Sequence, residues 1–104
     1  MGEKELKGII QKTAQGCDSY EIFDADAEFL TRLVKVLTSH FGMISASEPI
    51  LGNDVVYWDF ERDGTKLTAG WDIWSGCFVF GYNTAGNELV REIAQYLDQV
   101  LHEL

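Results

Sequence analysis

The sequence predicts an α+β fold: a two-layer sandwich in which an antiparallel β-meander of three to four strands packs on helices, with a C-terminal helix. Two runs of alternating apolar and polar residues flank Asp63-Gly64, a dipeptide that favours the type I′ turn of a β-hairpin. A second tight-turn signal, Ser75-Gly76, follows the second run. Apolar residues at helical spacing precede and follow these strands. The length of 104 residues predicts a single α+β domain, residues 1–104, with one core.

The N-terminal region is predicted to be helical. Residues 4–14 carry Leu6, Ile9, Ile10 and Thr13 at the spacing of a short amphipathic helix. Gly16 would end that helix, because glycine readily adopts the left-handed conformation found there.

A short strand or extended segment at residues 20–23 is predicted to lead into a second helix. Asp24 or Asp26 supplies its N-cap, and the helix runs to about Phe41. Its buried stripe consists of Leu30, Leu33, Val34, Leu37 and Phe41.

Residues 43–51 favour one further strand, in which Pro49 belongs at an edge or a bulge. Gly52-Asn53 fits a type II′ turn into the next strand, Asp54 to Arg62. The following strand runs from Thr65 to Trp74.

A two-residue loop at Asp63-Gly64 pairs Arg62 with Thr65 and divides the side chains between two faces. The predicted core face carries Val56, Trp58, Phe60, Leu67, Ala69, Trp71 and Ile73. The opposite face, called the outer face, carries Val55, Tyr57, Asp59, Glu61, Lys66, Thr68, Asp72 and Trp74.

A two-residue loop at Ser75-Gly76 would bring a third strand, Cys77 to Tyr82, back along the second. In that register Trp71 faces Phe80, and Phe78 and Phe80 join the core face. The last helix is predicted from about Glu88 to the C-terminus, with Thr84 or Asn87 as its cap. Its apolar side consists of Leu89, Ile93, Leu97, Val100 or Leu101, and Leu104.

The chain is strongly acidic, with a formal net charge of −9. Beyond residue 12, 15 acidic side chains oppose 5 basic ones. Such a field disfavours nucleic acid and anionic membranes as partners and attracts basic ones, although it also serves solubility alone.

The cysteines and the absence of known motifs indicate the cellular location and the chemistry to expect. Cys17 and Cys77 form neither a disulfide framework nor a CxxC motif, and no signal peptide or membrane span is visible, so a reducing cytoplasm is expected. No phosphate-binding, dinucleotide, zinc-protease or hydrolase motif occurs, and we expect no cofactor, metal or catalytic residue.

Two small groups of polar residues are better explained by structure than by chemistry. Asp24 and Asp26 resemble a metal-binding DxD pair, but capping of the second helix accounts for them without further ligands. His40 and His102, the only histidines, are predicted near helix C-terminal ends, where a positive charge is favourable.

The outer face holds the candidate site: Tyr57, Asp59, Glu61, Asp72 and Trp74. Polar residues are normal on a solvated sheet face, but large aromatic residues among carboxylates are typical of protein interfaces. A third alternative is a small-ligand site or an enzyme in which paired carboxylates act on a bound molecule, which would require a concave surface.

The segment Gly70–Val79, followed by a closing amphipathic helix, resembles small bacterial immunity proteins of polymorphic-toxin systems. The resemblance covers roughly residues 54 to 104 and consists of size, acidity and a strand–turn–strand segment. It implies a non-enzymatic protein-binding module that neutralises a basic toxin partner. The alternative is an acidic chaperone or adaptor for a secreted protein, which would form a homodimer.

Overall fold

The computed structural model describes residues 6–104 as an antiparallel sheet with two helices packed on one of its faces. The strands are β1 (Lys7–Lys12), β2 (Asp18–Phe23), β3 (Ile44–Ser45), β4 (Ile50–Leu51), β5 (Val55–Arg62), β6 (Thr65–Asp72) and β7 (Gly76–Gly81). The helices are α1 (Phe29–Ser39) and α2 (Thr84–Val100), and a 3-10 turn follows at Leu101–Glu103. The α+β class and the C-terminal helix are confirmed, but the described chain has seven strands, more than the three to four predicted.

The sheet order is β1-β2-β7-β6-β5, with the short strands β3 and β4 both paired to the far side of β5. The chain therefore forms the meander β5-β6-β7, and the N-terminal hairpin β1-β2 pairs alongside β7. Within residues 6–104, no helix is both long enough and apolar enough to cross a membrane.

The predicted N-terminal helix is wrong where the structure describes it, because residues 7–12 form strand β1. Residues 4 and 5 of that prediction lie outside the described residues. Gly16, with φ 83, belongs to the turn between β1 and β2 and does not end a helix. Gly8 allows β1 to lie against β2, because the ring of Tyr20 occupies the space that a Cβ at this position would need. The helix prediction was wrong because it rested on a few positions between Leu6 and Thr13, too few to separate helical from strand spacing.

The hairpin β5-β6 has the predicted turn and register. Asp63 and Gly64 both have positive φ, 52 and 82, as a type I′ turn requires. Arg62 pairs with Thr65, and the register continues through all eight residues of each strand. Trp58 and Trp71 lie on the same face and pack against the core.

The loop between β6 and β7 is longer than predicted. Asp72 pairs with Gly76, so the loop is Ile73–Ser75, three residues long, rather than Ser75-Gly76. Gly76 has φ 75, which fits the three-residue hairpin loop that is followed by a left-handed glycine.

This longer loop shifts the register by three residues and reverses the faces of β7, because an odd shift moves every side chain to the other side. Trp71 pairs with Cys77, not with Phe80. Cys77 and Val79 enter the core, whereas Phe78 and Phe80 lie on the outer face. The predicted core positions of Phe78 and Phe80 are therefore wrong.

The single strand predicted at residues 43–51 is instead two two-residue strands, β3 and β4, separated by the segment that contains Pro49. Leu51 pairs with Val56, and the amide of Gly52 donates to the carbonyl of Val55. The turn is therefore Asn53-Asp54, one residue later than predicted.

Side chains accept backbone hydrogen bonds near the start of both helices. Asp26 Oδ1 accepts from the amide of Phe29, the first residue of α1, although the N-cap position itself is Glu28, whose side chain makes no capping hydrogen bond. Asn83 Oδ1 accepts from the amide of Gly86, so α2 starts at Thr84 and not at Glu88. Asn87, one of the two predicted caps, instead accepts from the amide of Asp18.

One core lies between the helices and the sheet. The predicted helical residues Leu30, Leu33, Leu37, Leu89, Ile93 and Leu97 are all buried in it. From the sheet it receives Tyr20, Ile22, Phe60, Leu67, Ala69, Cys77 and Val79.

Candidate protein-binding face

Both helices pack on the same side of the sheet. On the opposite side, the outer face, Ser19, Thr68 and Phe78 are nevertheless buried, and the β1–β2 loop lies beside Phe80. The alternation of each strand fixes which side chains point there. The outer face of the central strands carries Ser19, Glu21, Tyr57, Asp59, Glu61, Lys66, Thr68, Gly70, Asp72, Phe78 and Phe80, with Tyr82 just after β7.

Four of the five predicted site residues share this face. Tyr57, Asp59 and Glu61 alternate along β5, and Asp72 ends β6. Trp74 does not join them, because it lies in the β6–β7 loop with 79 % of its surface exposed. The reason is the longer loop, which ends β6 two residues before Trp74.

Asp59 is held within a hydrogen-bonded cluster. Thr68 Oγ1 donates to Asp59 Oδ1 at 2.6 Å and also contacts the hydroxyl of Tyr82. Lys66 Nζ lies 3.4 Å from Asp59 Oδ2 and 4.9 Å from the centroid of the Tyr82 ring. The cluster thus combines a carboxylate and an aromatic face around one ammonium group.

Asp72 organises the adjoining loop. Its Oδ1 accepts from the amides of Trp74 at 2.9 Å and Ser75 at 2.6 Å. An aspartate that accepts from the backbone two and three residues later closes the turn by itself. Asp72 therefore has a structural task in addition to any role in binding.

The most extensive feature of the outer face is a row of four aromatic rings, Tyr57, Phe78, Phe80 and Tyr82. Successive ring centroids lie 5.8, 6.0 and 5.4 Å apart, within the range of favourable aromatic contacts. Phe78 covers Gly70 on the neighbouring strand, where a side chain would collide with its ring.

Sequence reasoning missed three members of this aromatic row, Phe78, Phe80 and Tyr82. Their alternation along the chain was visible, but the two-residue loop predicted at Ser75-Gly76 assigned Phe78 and Phe80 to the core. The signal that could have found them is the Asp-x-x-x-Gly spacing of Asp72 and Gly76, which fits a three-residue loop with a left-handed glycine.

Apolar side chains border the outer face at both sheet edges. Ile9 of β1 lies beside Glu21, while Ile44 and Ile50 lie beside Glu61 and Tyr57. All three isoleucines are exposed. These exposed apolar side chains thus lie at two opposite edges of the sheet and not in one patch.

The remaining candidates do not assemble into a reactive site. His40 stacks on Tyr96 with ring centroids 3.8 Å apart, and His102 is exposed near the chain end. Burial, with a smaller contribution from Asp26, raises the pKa of the Cys77 thiol to about 12, so this residue stays protonated. In the part of the chain that the structure describes, no three His, Cys, Asp or Glu side chains gather where they could hold a metal ion.

Comparisons with protein-family models, curated proteins and solved structures found no match.

Proposed function

We propose that this protein is a non-enzymatic binding module whose outer face binds a basic protein partner. The observation that carries the proposal is the aromatic row of Tyr57, Phe78, Phe80 and Tyr82 on the sheet face opposite the helices. Tyr57 and Tyr82 are 41 and 49 % exposed there, whereas Phe78 is buried beneath its neighbours. Aromatic rings supply contact area at the centre of protein interfaces, where they often dominate the affinity.

The charge of the face specifies the kind of partner. Glu21, Asp59, Glu61 and Asp72 surround the aromatic row, and Lys66 is the one base on the central strands of this face. The whole chain adds a net charge of −9, which attracts a basic protein over a distance of about one Debye length, roughly 8–10 Å. Carboxylates at the rim would then accelerate association, and the aromatic rings would slow dissociation.

The specific form that we propose is an immunity-type inhibitor that occupies the basic cleft of a toxin. A cleft that binds phosphate groups is rich in Lys and Arg, and an acidic surface of complementary shape blocks it without any catalytic group. Small size, acidity and the exposed rings of Tyr57 and Tyr82 support this form.

A second candidate, a dimeric adaptor, is favoured by the edge formed by β3 and β4. Ile44, Ile50 and Leu51 are 68, 67 and 74 % exposed there, and a second copy could cover them. Molecular mass by light scattering at low and high salt distinguishes the candidates. The inhibitor proposal predicts a monomer in both, and a dimer that persists in high salt would favour the adaptor.

Affinity capture from the source cell tests the proposal, with wild type, Tyr57→Ala and His102→Ala as baits. His102 is exposed and lies off the outer face, so His102→Ala is the matched control. We expect a basic protein with wild type and with the control, and a loss of about 2 kcal/mol, close to thirtyfold in affinity, with Tyr57→Ala. Equal recovery of the same partners by all three baits would contradict the assignment of this face.

A further inference from the structure

The outer face contains a cavity of about 250 Å³ between the β1–β2 loop and the β6–β7 loop. Its walls are the carboxylates of Glu21 and Asp72 and the rings of Tyr57, Phe78 and Phe80. Hydroxyl and amide groups complete the lining, from Thr13, Gln15, Ser19 and Ser75. None of the lining residues is a Lys or an Arg.

Hydrogen bonds orient the carboxylates of Glu21 and Asp72, but no basic side chain of residues 6–104 pairs with either. Glu21 accepts from Gln11 Nε2 at 3.1 Å and from Ser19 Oγ at 3.3 Å, and Asp72 accepts from two backbone amides. These donors are uncharged, and within residues 6–104 neither Glu21 nor Asp72 forms an ion pair. The cavity therefore presents two negative charges in fixed positions beside aromatic rings.

The same face already binds a cation with the same set of groups. Lys66 Nζ lies between the carboxylate of Asp59 and the ring of Tyr82, at the distances of an ion pair and a cation–π contact. The cavity has the same combination of carboxylates and aromatic rings, but no Lys or Arg of residues 6–104 lines it.

We infer that this cavity binds the cationic head of an arginine or lysine side chain. The inference rests on the proposed function, because it names the group by which the outer face would recognise a basic partner. The cation would lie against the aromatic rings and donate hydrogen bonds to Glu21 and Asp72. A planar guanidinium suits both contacts, since it stacks on rings and binds carboxylates through two donors.

The test is an NMR titration of the isotope-labelled full chain with Nα-acetyl-arginine amide, and with the neutral Nα-acetyl-citrulline amide for comparison. We expect saturable shifts at Glu21, Tyr57 and Asp72 with the arginine compound only. Glu21→Gln and Asp72→Asn should each weaken binding about two- to fivefold, the range of a partly exposed charge pair. Asparagine retains the oxygen that closes the loop, so Asp72→Asn should remain folded.

Glu92→Gln is the matched control, because it removes one charge at an exposed position on α2, away from the outer face. It should leave arginine binding unchanged. Equal binding of citrulline, shifts that cluster elsewhere, or an equal loss with Glu92→Gln would overturn the inference.

Different results would contradict the proposed function and the cavity assignment. If arginine does not bind the cavity but Tyr57→Ala loses the captured partner, the outer face remains the interface and only the cavity assignment falls. If arginine binds but Tyr57→Ala captures the same partner as wild type, the cavity is a cation site and the protein interface lies elsewhere.

Discussion

Asp18 is the one acidic side chain of residues 6–104 that the fold buries. It accepts hydrogen bonds from Lys12 Nζ and from Arg91 Nε, the latter at 2.7 Å, and so ties β1, β2 and α2 together. The bond from Lys12 lowers the pKa of Asp18, burial raises it, and the bond and charge of Arg91 lower it again, so that the pKa lies below its ordinary value. The local sequence contains no signal for this contact as a whole, because Lys12, Asp18 and Arg91 come from three separate elements.

A lowered pKa predicts a specific dependence of stability on pH. The contribution of Asp18 is fully present above the unfolded-state pKa of about 3.9 and is lost as the pH falls through the lower folded-state pKa. Asp18→Asn should therefore lower the free energy of unfolding by about 1.5–3 kcal/mol at pH 7, with a smaller loss in strong acid. Urea unfolding at several pH values measures this. Glu92→Gln, an exposed site on α2, is the control, and an equal loss for Asp18→Asn at every pH would contradict the assignment.

At the scale of elements, the two hairpins of the meander show why one register was predictable and the other was not. Asp63-Gly64 belongs to a two-residue turn, whose dipeptide fixes the pairing directly. Ser75-Gly76 has the same appearance, but Gly76 follows a three-residue loop that Asp72 closes. The observed register therefore differs from the predicted one by three residues. Because three is an odd number, Phe78 and Phe80 lie on the outer face and not in the predicted core.

The loop-closing role of Asp72 predicts a difference between two substitutions. Asp72→Ala removes the acceptor of two amide hydrogen bonds and should lower the free energy of unfolding by about 1–2 kcal/mol. Asp72→Asn retains an acceptor oxygen and should keep most of that stability. Urea unfolding followed by tryptophan fluorescence compares the two variants, and equal losses would mean that the charge of Asp72, not its acceptor, stabilises the loop.

At the scale of the molecule, the fold class and the buried helical faces were predictable, because long amphipathic stripes are strong signals. The number of strands was not predictable from the sequence. The strands β3 and β4 have only two residues each, and the apolar residues of β1 have a spacing that is also compatible with a helix. The candidate site was found in part: alternation along β5 placed Tyr57, Asp59 and Glu61 together, but the aromatic row depends on a register that only the tertiary structure defines.

Truncation of Ile93 in the core should lower the stability of the protein strongly. This residue is 0 % exposed between α2 and the sheet, and Ile93→Ala should lower the free energy of unfolding by about 2–5 kcal/mol through lost contacts and a new cavity. Ile50→Ala makes the same change at an exposed edge position and should cost less than about 0.5 kcal/mol. Denaturant unfolding of both variants checks the prediction, and similar costs at the two sites would contradict this placement of the core.

The central claim is that the outer face, and not the helical side, binds the partner. Hydroxyl-radical footprinting of the protein with and without its captured partner tests this most directly. Tyrosine side chains are exposed to oxidation on both the outer face and the helical side, so the reaction can distinguish the two. Tyr57 and Tyr82 are 41 and 49 % exposed on the outer face, while Tyr96 is partly exposed on α2. The account predicts that the complex protects Tyr57 and Tyr82 from oxidation and leaves Tyr96 as reactive as in the free protein. Protection of Tyr96 with Tyr57 and Tyr82 unchanged would contradict it.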